Sequence, residues 1–362
     1  MEAARTSDGV AVGLPASVRS LGVPWRWALV SVALLLMALV IGVAVGPAGL
    51  SLGGIAGSVF ARLPFVHGSS PLSAQQESIL WSLRMPRVVL GALAGGTLAI
   101  AGSAYQGTFR NPLADPYLLG AAAGAELGAT LAITYLPGRA VVGVNLVAVA
   151  AFAGASLAVA GAYVLGRSTG GMRNVTSLIL AGVAIASFLT AVQTYLQQRN
   201  ADQIRQVYAW LLGRLQTAGW QGVSLVAPYV AICIVVVVAH RRVLDVLQFG
   251  DDEAASLGVR PRRVRFWVVV AATLGTAAVV AVCGAIAFVG IIIPHTVRLL
   301  VGRSYRVVVP LSLALGAAFL VLADTVARMA VAPSELPIGV ITAFIGAPFF
   351  IMVLRSTRTF AP

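Results

Sequence analysis

The chain has 362 residues, of which 59% are hydrophobic and only 10% are charged, and its mean hydropathy is +0.92. A soluble domain carries roughly 25% charged residues, so this chain has too little charge to cover a water-facing surface, and a soluble globular protein is excluded. The formal net charge is +13, and every basic residue is arginine. Because the arginines fall between apolar runs, their pattern indicates the loops of a membrane protein and not a nucleic-acid surface.

The apolar runs predict an all-α integral membrane protein with about ten transmembrane helices, since a bilayer needs about 20 apolar residues per helix. The run 289–301 is too short to cross alone, which predicts a half-helix packed inside the bundle. Small residues four apart, such as Gly91 and Gly95, predict close helix–helix contacts. The predicted membrane domain 26–354 contains the spans 26–46, 86–107, 117–136, 141–165, 176–197, 223–240, 265–286, 289–301, 307–329 and 338–354.

Two connections are expected on the outer side. Residues 47–85 form a long loop with Gly, Pro and Ser clusters. Residues 198–222 contain Trp210 and Trp220, and tryptophan favours the headgroup zone of a bilayer, which predicts a re-entrant or interfacial segment.

The termini and the loop 241–264 are expected in the cytoplasm. With this assignment, arginines on the inner side outnumber those on the outer side roughly two to one, as the positive-inside rule requires. Residues 1–25 are then a cytoplasmic N-terminal tail, expected to be disordered, and residues 355–362 a cytoplasmic C-terminal tail.

No residue pattern in the chain predicts catalysis or a bound metal. The sequence has no Walker A motif, no HExxH motif and no paired carboxylates, and its two cysteines, Cys233 and Cys283, lack a metal-binding spacing. We therefore predict no catalytic residue, no metal and no cofactor on this chain, and we expect that the chain does not hydrolyse ATP itself.

Ionisable residues inside apolar runs are candidates for function, because they are costly at membrane depth. Asp324 and Arg328 lie four residues apart on one predicted helix and are expected to pair. For Glu126, a hydrogen bond between helices and a role in transport both remain open. The acids are isolated from one another, which argues against a proton-coupled transporter.

The segment from Gly250 to Arg260 is the most informative connection. Three successive acids, Asp251 to Glu253, suit the positive end of a helix, and Gly258 suits its stop. Pro261 can begin a second helix. The pattern predicts a rigid helix–turn–helix, either as a solvated cap or as a docking element for another protein.

A series of different short motifs extends from about Leu80 to Leu354, and any one of them alone is weakly specific. They are Leu83-Arg84-Met85-Pro86-Arg87, Gln106-Gly107, Arg110-Asn111-Pro112-Leu113-Ala114-Asp115-Pro116, Leu180-Ala181-Gly182, Trp210-Leu211-Leu212-Gly213, Phe288-Val289-Gly290, Pro294-His295 with Arg298, Leu322-Ala323-Asp324 with Arg328, Glu335-Leu336-Pro337 and Gly346-Ala347-Pro348. In this order, the set resembles the permease subunits of binding-protein-dependent ABC importers for iron–siderophores, haem and cobalamin.

The resemblance implies a homodimer around a central pathway in the bacterial cytoplasmic membrane. It implies two cytoplasmic ATPase subunits that hold ATP and Mg²⁺, a separate extracytoplasmic binding protein and no nucleic acid. The cargo would be an iron chelate, a ferric siderophore or haem, with cobalamin as the alternative. An ion-coupled secondary transporter and an intramembrane enzyme are the competing classes.

The resemblance also assigns roles to residues. Arg84, Arg87 and Arg328 would meet acids on the binding protein. The pathway would include Ser177, Ser187 and Thr190. The loop that couples to the ATPases would use Gly250, Asp251, Asp252, Glu253, Ala255, Leu257, Gly258, Val259 and Arg262. The structural motif positions are Asn111, Pro112, Asp115, Pro116, Gly290, Pro294, His295, Asp324, Glu335 and Pro337.

Overall fold

The computed structural model describes residues 23–62, 70–138, 140–141, 144–170, 175–215 and 219–358. The chain is helical almost throughout this part. The helices are α1 (Trp25–Ala44), α2 (Leu52–Ala61), α3 (Ala74–Ser78), α4 (Met85–Phe109), α5 (Ala121–Tyr135), α6 (Leu146–Gly170), α7 (Val175–Arg199), α8 (Ile204–Leu211), α9 (Gly219–Leu247), α10 (Asp251–Ser256), α11 (Pro261–Cys283), α12 (Val289–Leu300), α13 (Tyr305–Met329) and α14 (Ile338–Arg358).

Short irregular elements join these helices. A π-helical stretch, Ile79–Arg84, leads directly into α4, and 3₁₀ turns cover Pro116–Leu119 and Ala201–Gln203. Between α5 and α6, the strands β1 (Ala140–Val141) and β2 (Val144–Asn145) form an antiparallel pair in which Ala140 lies opposite Asn145.

A helix lies at each of the predicted spans. In the described ranges, seven helices are long and apolar enough to cross a membrane, namely α1, α4 with its preceding turn, α6, α7, α9, α11 and α13. The helices α5, α12 and α14 occupy the remaining three spans and are shorter or less apolar. The all-α membrane architecture is confirmed, and the number of crossings stays a prediction.

Helices extend into three of the predicted connections. The expected outer loop 47–85 contains α2, α3 and the π-helical stretch, so residues 74–109 are one continuous helical run. The loop 241–264 narrows to 248–260, because Leu244 and Leu247 are buried and continue α9 past its paired arginines. α14 continues to Arg358, within the predicted C-terminal tail 355–362.

Glycine allows the central helices to touch, as the small-residue spacing predicted. A Cβ on Gly102 of α4 would overlap the carbonyl of Gly290 at the start of α12. A Cβ on Gly124 of α5 would overlap the carbonyl of Gly154 on α6 in the same way. Backbones that approach this closely are typical of helix packing in lipid.

The backbone between α11 and α12 is irregular inside the bundle. Residues Gly284 and Phe288 have positive φ values of 74° and 71°. The Tyr117 hydroxyl donates to the Ile286 carbonyl at 3.0 Å, and the Ile286 N–H donates to the same hydroxyl at 3.2 Å. Tyr117 thus satisfies backbone groups that lipid could not, which allows the short α12 to begin at depth.

The two ends of the bundle carry different elements. We call the end with α8, the C-terminus of α1 and the start of α14 the α8 end. We call the end with α10, the C-terminus of α4 and the start of α13 the α10 end.

Candidate functional sites

A cluster of four charged residues lies at the α8 end. Arg87 donates to Asp324 through Nε at 2.9 Å and Nη2 at 2.8 Å, and its Nη1 donates to Glu335 at 3.1 Å. Arg328 pairs with Asp324 at 3.2 Å, which confirms the predicted contact within α13. Asp324 and Arg328 are 2% and 3% exposed. The cluster therefore balances two guanidinium groups with two carboxylates inside the protein.

Two arginines of this end also hold the C-terminus of α1. Arg84 donates to the carbonyls of Val43 at 2.9 Å, Ala44 at 3.0 Å and Ala48. Arg328 donates to the carbonyl of Gly42 at 2.9 Å. The last carbonyls of a helix lack partners within the helix and carry partial negative charge, so cations satisfy them well.

These contacts bear on the predicted docking role. Arg84 is 5% exposed, and the side chain of Arg87 is 11% exposed. All three arginines already have partners within the chain in this structure. Contact with acids of a binding protein stays a prediction for Arg84, Arg87 and Arg328. Such contact would require these arginines to give up hydrogen bonds that they now make within the chain.

The predicted helix–turn–helix is present at the α10 end. α10 carries Asp251, Asp252 and Glu253 in its first turn, and Gly250 precedes it with φ 134°. Gly258 has φ 79° after its end, and Pro261 begins α11. Glycine tolerates positive φ without steric cost, and proline suits the first turn of a helix, so the local geometry follows from the residue types.

Buried contacts anchor α10 to the bundle. Asp251 accepts from Arg265 at 2.7 and 2.5 Å and from Arg110 at 3.4 Å. Arg265 is 6% exposed and also donates to the Thr108 carbonyl at 3.2 Å. Ala254 is fully buried. α10 is therefore held by both α4 and α11.

The outer face of this connection is apolar and exposed. Leu257 is 70% exposed, and Phe249, just before α10, is 77% exposed. Glu253, Ala255 and Gly258 lie beside them and are exposed as well. Apolar side chains on a rigid, otherwise charged connection are typical of a protein contact.

The motif between α4 and α5 forms a buried corner. Asn111 accepts from the Leu113 N–H at 2.9 Å, and Asp115 accepts from the Tyr117 N–H at 2.9 Å. Pro116 begins the 3₁₀ turn. Burial raises the pKa of Asp115 to about 6. Within the described ranges, no cation lies within ion-pair distance of Asp115.

The remaining predicted positions lie on α12 and just before α14. Gly290, Pro294 and His295 lie on α12, and the His295 ring meets Phe349 of α14 edge to face at 5.8 Å. Pro337 begins the turn into α14 and accepts from the Val340 N–H at 3.1 Å.

The predicted pathway residues lie along α7. Ser177 is half-buried, whereas Ser187 and Thr190 are exposed and share a helix face. Only 17% of the apolar stretch of α7 is buried. The structure therefore leaves these side chains free to face a partner copy, lipid or a pathway.

Sequence reasoning missed two residues that position these sites. Arg265, which anchors α10, was not singled out, although an arginine followed directly by a long apolar run is a signal of burial. Tyr117 supports the break before α12, and its only sequence signal is its place after the Asp-Pro pair. Among the described residues, no group of three His, Cys, Asp or Glu side chains could hold a metal.

Comparisons with known proteins agree with the motifs. Residues 34–356 match the FecCD transport family. The chain is 44% identical over 279 residues to the cobalamin import system permease protein BtuC of Halobacterium salinarum, covering 77% of this chain and 74% of that protein. It is 36% identical to the Fe(3+) dicitrate transport system permease protein FecD of Escherichia coli, with 77% and 86% coverage. It is equally identical to the hemin transport system permease protein HmuU of Yersinia pestis, with 77% and 84% coverage.

The fold is similar to that of a solved metal-chelate type ABC transporter in an inward-facing conformation. The TM-score is 0.79 at 26% identity, and the match covers 92% of this chain and all of that chain. Fold and matches together define the class: the molecule is a multi-span membrane permease, a transport protein and not an enzyme. The chain belongs to the FecCD transport family.

Proposed function

We propose that this chain is the permease subunit of an ATP-driven importer, which moves an iron chelate across the bacterial cytoplasmic membrane into the cytoplasm. The relatives carry names for cobalamin, ferric citrate and hemin transport, so the shared cargo is a large metal chelate. The observation that carries the proposal is the apolar, exposed tip on the rigidly anchored α10 connection, within a chain of this family.

In this proposal, the α10 end faces the cytoplasm, and α10 docks into an ATPase subunit that holds ATP and Mg²⁺. Closure of the ATPases would push on α10. The ion pairs from Asp251 to Arg265 and Arg110 would pass the displacement to α11 and α4. Packed interfaces respond to small shifts by changing between discrete arrangements, which would open the pathway.

A second copy of the chain would complete the pathway. The largely unburied α7 carries Ser177, Ser187 and Thr190, and α14 carries Phe344, which is 73% exposed. Such faces suit either lipid or a twofold partner. At the α8 end, an extracytoplasmic binding protein would deliver the cargo, with Arg87 as the most accessible of the three predicted docking arginines.

The preference for an iron chelate rests on charge. A cavity at the α8 end is lined by Arg214, which is exposed, and by the amides of Asn145, Gln206 and Gln221. A cation with amide donors suits a cargo that carries carboxylates, such as ferric citrate or haem. Cobalamin is the second candidate, because the 44% identical relative is named for it.

The ATPase contact is tested by Leu257→Asp, with Leu83→Asp at the opposite end as the matched control, since Leu83 is also exposed at 60%. The tagged permease is co-expressed with its ATPase and purified in detergent. We expect Leu257→Asp to lose the ATPase and Leu83→Asp to retain it. Equal retention by both variants would reject the docking site.

The cargo is tested in proteoliposomes that contain the complete complex and its binding protein. Uptake of radiolabelled ferric citrate, a ferric hydroxamate, haem and cobalamin is compared with and without ATP. We expect ATP-dependent uptake of an iron complex. Uptake of cobalamin alone would overturn the iron assignment, and uptake without ATP would overturn the importer proposal.

A further inference from the structure

A cavity of about 650 Å³ opens at the α10 end between the C-terminus of α4, α12 and the connection to α13. Its volume lies within the range of about 300–1,000 Å³ that is typical of small-ligand sites. Arg110, Arg298 and Arg303 line it from three different segments, together with His295, and no carboxylate lines it. The Pro-His motif and the Arg-Asn-Pro motif thus meet in one place that neither ATPase docking nor cargo delivery explains.

The positive charge of the cavity is poorly compensated within the described ranges. Arg298 donates only to the Tyr305 hydroxyl, at 3.2 Å, and its Nη1 is buried without a hydrogen-bond partner. Arg303 is exposed and has no ion pair there. Arg110 reaches Asp251 only at 3.4 Å, and that carboxylate is already held by Arg265 at 2.5 Å. Arg298 is half-buried, and a guanidinium N–H that is out of water and lacks a partner is costly, so an external anion would stabilise this arrangement.

The surroundings of the cavity point to the type of anion. The four oxygens of a phosphate group are arranged tetrahedrally, so guanidinium groups from separate segments can contact it from different directions, whereas a carboxylate offers its two oxygens in one plane. Leu299 lines the same cavity and is 70% exposed, and the adjacent Leu300 is 55% exposed. Basic pockets between transmembrane helices, beside apolar surface, are typical sites for anionic lipid headgroups.

We propose that this cavity binds a phosphate group, supplied by the headgroup of an anionic phospholipid or by free phosphate. Arg298 and Arg303 contact its oxygens, Arg110 closes the site from α4, and Leu299 contacts an acyl chain when the source is a lipid. The site is independent of the identity of the cargo.

The test uses the purified full-length permease in detergent and measures thermal unfolding by intrinsic tryptophan fluorescence. Phosphatidylglycerol, phosphatidylcholine and inorganic phosphate are titrated separately. Arg298→Gln is compared with Arg167→Gln, an exposed arginine on α6 outside the cavity lining. If Arg298→Gln fails to fold, Arg303→Gln replaces it, because Arg303 makes no described contact that folding would need.

We expect phosphatidylglycerol to stabilise the native chain and Arg167→Gln, and its apparent affinity to fall at least about tenfold in the cavity variant, as loss of a charge-assisted hydrogen bond predicts. Stabilisation by inorganic phosphate alone, lost in the same variant, would assign the site to free phosphate. Equal effects of phosphatidylglycerol and phosphatidylcholine, equal responses of the cavity and Arg167 variants, or no effect of either phosphate source would overturn the proposal.

Discussion

The two ends of the bundle differ in how completely their charged side chains are paired with counter-ions. At the α8 end, Asp324 lies between Arg87 and Arg328, and both arginines have further acceptors. At the α10 end, Arg265 is paired with Asp251, but two other charges are not paired. In the described ranges, Asp115 receives one backbone N–H and no cation, and the half-buried Arg298 has no acid within ion-pair distance. A compensated cluster holds helices together, whereas uncompensated charges favour ligands, partners or a change of protonation. We therefore expect the charged cluster of the α8 end to contribute most to the free energy of unfolding, and the α10 end to respond to pH, ligands and partners.

The largest expected effect comes from removing the shared acid of the α8 end. Asp324→Asn leaves two buried guanidinium groups without their main counter-ion, which costs about 3–5 kcal/mol of the free energy of unfolding. Thermal or denaturant unfolding in detergent measures it. Glu335→Gln is the control, because its side chain is 25% exposed, and it should cost less than about 1 kcal/mol. Equal stability of the two variants would contradict a buried, shared Asp324.

The second effect is a pH dependence at the α10 end. Burial raises the pKa of Asp115 to about 6, above the value of roughly 3.9 expected for the unfolded chain. Between these values the folded chain binds more protons, so its stability falls as pH rises from about 4 to 6 and levels off above that. The total change is roughly 2–3 kcal/mol.

Unfolding of the native chain and of Asp115→Asn across this pH range tests the assignment. The variant should lose this pH dependence, whereas Asp252→Asn, which removes an exposed acid, should keep it. The hydroxyls of Tyr105 and Tyr117 interact electrostatically with Asp115, and a tyrosine ordinarily titrates near pH 10, far above this range. If the stability of Asp115→Asn fell more steeply with rising pH than that of the native chain, the predicted direction of the Asp115 effect would be contradicted.

A smaller effect is expected from removing the buried arginine that anchors α10, compared with an exposed arginine nearby. Arg265→Gln removes both hydrogen bonds to Asp251 and should lower the free energy of local opening of α10 by about 1–2 kcal/mol. Hydrogen exchange of residues 251–258 should then be about tenfold faster. Arg263→Gln, at an exposed position two residues earlier, should leave exchange unchanged. Identical exchange in the two variants would show that α10 is held in another way.

The smallest expected change is the stability of Leu257→Asp. The side chain is 70% exposed, so the free energy of unfolding should stay within about 0.5 kcal/mol of the native value. The same unfolding assay measures it. A large loss of stability would mean that Leu257 packs within the chain, and its effect on ATPase binding would then need another explanation.

The sequence predicted features that depend on local patterns. The apolar runs placed the helices, the acids with Gly258 and Pro261 placed α10, and the four-residue spacing paired Asp324 with Arg328. Each of these signals lies within one or two turns of helix.

Features that depend on distant segments were not predictable from one sequence. Arg87 meets Glu335 across 248 positions, and Arg328 meets the Gly42 carbonyl across 286. Nothing near these residues indicates which helix supplies the partner. The end of α9 was misplaced because two adjacent arginines, Arg241 and Arg242, usually mark a boundary, whereas burial of Leu244 and Leu247 continues the helix.

The attachment of α1 restricts how the permease can move. Arg84, just before α4, and Arg328 on α13 both donate hydrogen bonds to carbonyls at the end of α1. Arg87 of α4 in turn donates two hydrogen bonds to Asp324 of α13. Separating any two of these three helices would therefore break at least two hydrogen bonds. We expect α1, α4 and α13 to move together as one rigid unit. We therefore expect relative motion during transport to be concentrated in segments without such hydrogen bonds, foremost α7, of whose apolar stretch only 17% is buried. Spectroscopic distance labels on α1 and α13 should keep a fixed separation, while the distance from either label to one on α7 should change.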